Sequence, residues 1–161
     1  LTTPPVVIDR QRACEQRCPS RHSLESWMAR TLAELADGPE GGEVTIRYVE
    51  AEESRRLNAQ FRGKDRPTNV LSFPASEDPA QIEVLPGSSQ PYLGDLVICP
   101  VVVEREVAEQ GKSRRAHHAH MVVHGILHLL GYDHLTPSEA EQMESIEIRA
   151  LESLGYPNPY A

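Results

Sequence analysis

Residues 124–134 read HGILHLLGYDH, with histidines at the first, fifth and eleventh places and a glycine at the eighth. In an α-helix, His124 and His128 lie one turn apart and project from one face, so both rings reach a single ion. Gly131 tolerates a positive φ and ends such a helix sharply. The chain can then turn through Tyr132 and Asp133 and return His134 toward the same point. Three imidazoles with a fourth position open make a catalytic type of zinc site, because structural sites are usually closed by four protein ligands. Neutral imidazoles in a four-coordinate site suit Zn2+, one ion, although ligand type alone also admits nickel, copper or iron. A lone histidine on an amphipathic helix reads as packing. The pair, the glycine and the third histidine together read as a metal site.

His120 extends the stripe of 120, 124 and 128. Eight residues place it about 12 Å from His128 along the axis, too far for bonds of about 2.1 Å to one ion. His120 is therefore expected beside the site, supporting a ligand or touching substrate, and His117 and His118 lie further off. Asp133 has two readings of equal weight. It orients a ligand ring or a bound water, or it shapes the turn.

Zinc proteases of the metzincin type share this spacing but carry a glutamate after the first histidine, where Gly125 stands here. Bound zinc lowers the pKa of its water toward about 7. Peptide hydrolysis also needs a proton delivered to a poor amine leaving group, the step that glutamate serves. Gly125 cannot supply it. Phosphodiester cleavage needs charge stabilised on non-bridging oxygens, for which a metal and a cation suffice. Cations crowd two stretches: Arg55, Arg56, Arg62, Lys64 and Arg66, and then Lys112, Arg114 and Arg115. A metzincin-like metalloprotease remains the first alternative, favoured by spacing and opposed by Gly125.

The elements that must hold these residues follow from patterning. A strand is expected at 5–9, a helix capped by Ser23 with apolar Leu24, Trp27, Met28, Leu32 and Leu35, and a strand at 43–49. A short helix follows at 51–61 and a strand at 68–73. The Pro-, Ser- and Gly-rich segment 74–92 reads as a long mobile loop. A fourth strand at 94–99 leads into a helix that opens at Pro100 and stops at Gly111. Ser113 opens the histidine helix, which runs to about Leu130. Thr136-Pro137-Ser138-Glu139 is a capping box for a last helix with Met143, Ile146, Ala150, Leu151 and Leu154. Four strands and five helices, with the helices toward the C-terminal half, predict a single α+β domain over residues 1–161 around a small mixed sheet.

The 161 residues suit one hydrophobic core, with 39% apolar and 25% charged residues. The net charge of −8 speaks mildly against a polyanionic partner. A local basic stretch still steers one when the sum is negative. No apolar run approaches the roughly 18 residues that span a bilayer, and residues 1–12 lack the pattern of a secretory signal. A cytoplasmic protein with no membrane role is expected. Cys14, Cys18 and Cys99 are an odd number, read as reduced thiols. Cys14-x3-Cys18 as half of a metal site is the lesser reading, and Cys99 reads as core.

HGILHLLGYDH at 124–134, RGKDRPTNVLSFP at 62–74 and LGDLVI at 93–98 together resemble the YbeY family of bacterial endoribonucleases, from about Glu43 to Tyr156. The histidine motif is highly specific for that family, and the other two support it. The resemblance implies a zinc-dependent nuclease acting on single-stranded RNA in ribosomal RNA maturation, notably at the 3′ end of the small-subunit RNA, and in ribosome quality control. It implies that His124, His128 and His134 hold zinc and that Arg62 meets the scissile phosphate. Arg55, Arg56, Lys64 and Arg66 are then candidates for the RNA backbone. The implied partners are ribosomal RNA, the small ribosomal subunit and assembly proteins such as the GTPase Era. Attack is expected from water or from the substrate's own 2′-hydroxyl, with Arg62 neutralising the developing charge. The second alternative is a non-catalytic ribosome-assembly factor whose zinc is structural.

Overall fold

The alternating, β-branched run at 42–49 forms the second strand of a four-stranded mixed sheet. The computed structural model describes residues 3–161. Its elements run β1 (Val6–Ala13), α1 (Arg21–Ala33), β2 (Gly42–Val49), α2 (Ala51–Arg62), β3 (Val70–Pro74), β4 (Tyr92–Ile98), α3 (Pro100–Gln110), α4 (Arg114–Leu129) and α5 (Pro137–Ser153). Strand order is β1-β2-β4-β3, with β1, β2 and β4 parallel and β3 antiparallel to β4. The α+β class with five helices and one mixed sheet is therefore correct.

Several boundaries differ from the sequence expectation, for local reasons. β1 continues to Ala13 because it pairs with β2 along its full length. Its polar residues Arg10 and Arg12 reach the carbonyls of Pro19, Glu15 and Gln16. The α1 cap is Ser20, whose hydroxyl accepts from the Ser23 amide, so Ser23 sits inside the helix. β3 begins two residues late, at Val70, while β4 begins at Tyr92, ahead of a register shift opposite Glu43 and Val44. Segment 74–92 holds a 3-10 turn at Pro79–Gln81 and a bridge between Val84 and Pro91.

One face of the sheet carries Ile8, Val44, Ile46, Tyr48, Leu93, Leu96 and Ile98 into the main core. There they meet Leu24, Trp27 and Met28 of α1, the apolar residues of α4, and Met143, Ile146 and Leu151 of α5. A smaller cluster of Val49, Leu71, Val97, Cys99 and Val102 receives Leu57 of α2 on its edge. α4 is buried along most of its length, from His117 to Leu129. Its Ser113 hydroxyl accepts from the Ala116 amide, and Thr136 caps α5 in the same way through Glu139. No helix among the described residues is long and apolar enough to cross a membrane.

Candidate metal centre and its cavity

α4 delivers the histidines, and its end places them. Gly131 takes φ 92°, and the Tyr132 amide donates back to the Leu127 carbonyl at 3.0 Å. That left-handed residue follows the cap residue Leu130, closes the helix at Leu129 and sends the chain back toward His128. The Asp133 carboxylate then accepts from the His134 amide at 2.8 Å and stands 3.9 Å from that ring's Nδ1. The His134 ring centroid lies 5.4 Å from that of His128 and 6.1 Å from that of His124. His134 is the outermost of the three, with 58% of its side chain exposed.

The Nε2 atoms of His124 and His128 face each other at 3.1 Å. Nδ1 of His124 lies 3.1 Å from Oε2 of Glu147, so it carries the proton and donates to the carboxylate. The lone pair of His124 therefore sits on Nε2. Two ring nitrogens at this separation need a proton or a cation between them. Bonds of about 2.1 Å in a tetrahedral site would set two donor nitrogens about 3.4 Å apart, close to what is observed. Burial holds the His128 ring below the ordinary imidazole range, with His124 and His134 pushing the same way. The neutral ring is the form a metal takes.

Glu147 is the residue that sequence reasoning missed. It is 1% exposed on α5 and accepts from His120 Nε2 at 2.7 Å as well as from His124. Tyr160 donates its hydroxyl to the other carboxylate oxygen at 2.9 Å. Burial alone would raise this carboxyl, but the His120 and His124 hydrogen bonds outweigh it and bring it down to about 2. Burial and Glu147 together push the Tyr160 hydroxyl up. A signal was present in the sequence, because position 147 falls on the buried stripe of Met143, Ala150 and Leu151.

The described residues hold one compact set of potential ligands, His120, His124 and Glu147, whose donor atoms lie within 4.8 Å of one another. Two arrangements thus share His124: that buried set through Nδ1, and the His128–His134 side through Nε2. A catalytic ion needs a position open to substrate. The buried set has Tyr160 on its remaining side and borders a cavity of about 320 Å3 with no cation in its lining, whereas the Nε2 side opens into a cavity that Arg62 also lines. A carboxylate on the far nitrogen of a ligand histidine also fits the usual support of such ligands. The residues present fit a metal, with the Nε2 side the better place.

That cavity has a volume of about 490 Å3 and is lined by Arg62, Asn69, Ser72, His124, His128, Tyr132 and Asp133 among others. Arg62 is the last residue of α2, released by Gly63 in the left-handed conformation. Its Nη2 donates to the Ser72 carbonyl at 3.0 Å, and its guanidinium carbon lies 6.0 Å from the centre of the Phe73 ring. Ser72 in turn donates to the Gly125 carbonyl, which ties β3 to α4 beside the histidines. Arg55 is taken up by Glu52 and Asp65. Arg56, Lys64 and Arg66 are exposed and make no ion pair among the described residues. Asn58 and Ser54 hold the segment between them and β3, through the Arg66 carbonyl and Thr68.

Gly125 answers for the missing glutamate. A Cβ there would stand 2.8 Å from Cδ2 of the fully buried Leu96, so this position is the contact between α4 and β4. Any longer side chain requires Leu96 to shift. His117 and His118 turn away, to Glu106 and Glu104 of α3. Cys14 and Cys18 have their sulfurs 3.4 Å apart, with no third ligating side chain among the described residues. Burial and Cys14 push the Cys18 thiol up to about 12. Cys99 is buried in the smaller cluster.

A sequence model of the endoribonuclease YbeY matches residues 9–155. The chain belongs to the YbeY family of endoribonucleases. It is also similar to a protein of Thermotoga maritima known from a solution structure, with 26% identity and a TM-score of 0.54, over 93% of this chain and 91% of that one. The YbeY match runs from within β1 to just past the end of α5 and includes Arg62, all three frame histidines and Glu147.

Proposed function

We propose that this chain is a zinc-dependent endoribonuclease that cuts single-stranded RNA during ribosomal RNA maturation, including the 3′ end of the small-subunit RNA, and in ribosome quality control. The observation that supports this reading is the shared cavity, which Arg62, without an ion pair among the described residues, lines together with His124 and His128. Family membership supports the nuclease activity. His124, His128 and His134 would hold the ion. When bound, it supplies Lewis acidity and makes a deprotonated nucleophile available near neutral pH.

The chain's own residues do the rest. Glu147 fixes the His124 ring and keeps its proton on Nδ1. Arg62 keeps one N–H on the Ser72 carbonyl, which holds its guanidinium at the cavity wall and leaves the other donors for non-bridging phosphate oxygens. That placement neutralises charge as it develops, the main requirement of phosphodiester cleavage. Asp133 lines the same cavity and can accept a proton from the nucleophile. Arg56, Lys64 and Arg66 extend the positive surface along the backbone of the strand. The small ribosomal subunit and the GTPase Era are the partners this reading implies.

The test is cleavage of a single-stranded RNA oligonucleotide by extensively purified protein, with metal content measured on each sample. Wild type should cut, while folded Arg62→Ala and His124→Ala should not. Equal cutting by all three would reveal a contaminant and leave a non-catalytic assembly factor as the better reading. A 2′,3′-cyclic phosphate end would assign the attack to the 2′-hydroxyl.

A further inference from the structure

The chain contains two phenylalanines, and both lie beside Arg62. Phe61 precedes it on α2 and is 51% exposed, unusual for a large apolar ring on a charged helix end. The ring is nonetheless held. It meets Phe73 of β3 edge to face, with centroids 5.1 Å apart and planes at 74°. The Phe73 ring therefore meets both the Phe61 ring and, at 6.0 Å from its centre, the Arg62 guanidinium carbon. One aromatic pair thus adjoins the arginine that lines the cavity. The next side chains along the chain include Lys64 and Arg66, exposed cations without a partner among the described residues.

Resting on the nuclease reading above, we propose that Phe61 is a stacking platform for one base of the RNA strand, next to the nucleotide whose phosphate meets Arg62, and that it gives the site its preference for single strands. An exposed ring among unpaired cations is complementary to a strand that presents anionic backbone and apolar base faces at once. Every base has such a face, so this contact reads no sequence. In a duplex the faces are stacked on neighbouring bases and unavailable to Phe61. Phe73 serves as the buttress. It fixes the platform's orientation, so little side-chain freedom is lost when a base arrives.

The experiment compares wild type, Phe61→Ala, Phe61→Trp and Phe61→Leu, all zinc-loaded. It reads kcat and KM on a single-stranded RNA, on the same strand with an abasic nucleotide at successive positions, and on its duplex. A single-stranded DNA of the same sequence serves as a binding probe by fluorescence anisotropy. Phe61→Ala should raise KM and weaken probe binding about 5- to 150-fold, the range of one base–aromatic stack, with kcat much less affected. Phe61→Trp should restore binding and Phe61→Leu should not. The alanine effect should vanish when one particular position is abasic, and discrimination against the duplex should shrink. If wild type cuts RNA but Phe61→Ala leaves KM and probe binding unchanged, the platform is wrong and the ring awaits a protein partner instead. Rescue by Phe61→Leu would also overturn it. If wild type fails to cut while the DNA probe still loses affinity in Phe61→Ala, the platform stands and the nuclease reading falls. If wild type binds neither strand, both fall.

Discussion

Replacing Glu147 by glutamine separates the two ways in which His124 can serve a metal. If the ion sits on the Nε2 side, Glu147 acts on it through one imidazole. Loss of the carboxylate charge then weakens the ion by about 10- to 100-fold, or about 1.4–2.7 kcal/mol. If the ion sits among His120, His124 and Glu147, the substitution removes a direct ligand and binding falls well beyond that range. His128→Ala gives the opposite pattern in the two cases: severe loss on the Nε2 side, near-normal binding in the buried set. The metal-free protein also pays a stability cost. The interval between an ordinary carboxyl at 4.5 and about 2 in the fold corresponds to about 3 kcal/mol. Glutamine keeps one accepting oxygen, so its cost is about 1–3 kcal/mol. Zinc competition against a chromogenic chelator measures the first quantity, and urea unfolding of chelator-treated protein the second. Unchanged zinc affinity in Glu147→Gln, with normal folding, would refute the role given to this carboxylate.

Two further outcomes are expected. Gly125→Glu forces a charged side chain against fully buried Leu96 and should cost at least about 4 kcal/mol in urea unfolding, whereas Gly125→Ala, offset by better helix propensity, should cost no more than about 2 kcal/mol. Melting temperature should fall in two stages on acidification. Burial holds His118 below the ordinary 6.5 despite Glu104, so the unfolded chain takes up the proton first and stability drops as pH falls below about 6.5. Glu104 is held down by His118 and Arg114 against its own burial, so its contribution is lost as pH falls below 4.5. Melting curves of wild type and His118→Gln between about pH 8 and pH 3 check this, with the first stage reduced in the variant to the share that buried His128 contributes.

Where chemistry at a helix end is local, the sequence was readable. Ser113, Thr136 and the Pro100–Gly111 pair mark their helices because caps and stops act within one turn. Gly131 was legible for the same reason. Ser23 misled because Ser20 lies three residues earlier and offers the same hydroxyl. β1 ran past Asp9 because strand pairing with β2, which no local window contains, outweighs a polar run. The neighbourhood of His124, His128 and Arg62 was suggested by motif, but their common cavity depends on β3 lying beside α4. Glu147 was hidden by distance along the chain. Only its place on an apolar stripe marked it, and reading that required asking what a carboxylate does inside a core.

Five histidines of α4 enter the fold with a ring nitrogen already engaged: His117 and His118 by α3, His120 and His124 by α5, and His128 by His124. The helix is thereby fixed in rotation about its own axis by carboxylates on both flanks. The imidazoles lose their rotational freedom when the chain folds, so a metal finds them ordered beforehand. In small zinc modules, by contrast, the ion itself drives folding. Here the scaffold orders these rings without an ion, so on the metal reading proposed above the ion would exchange without the chain coming apart.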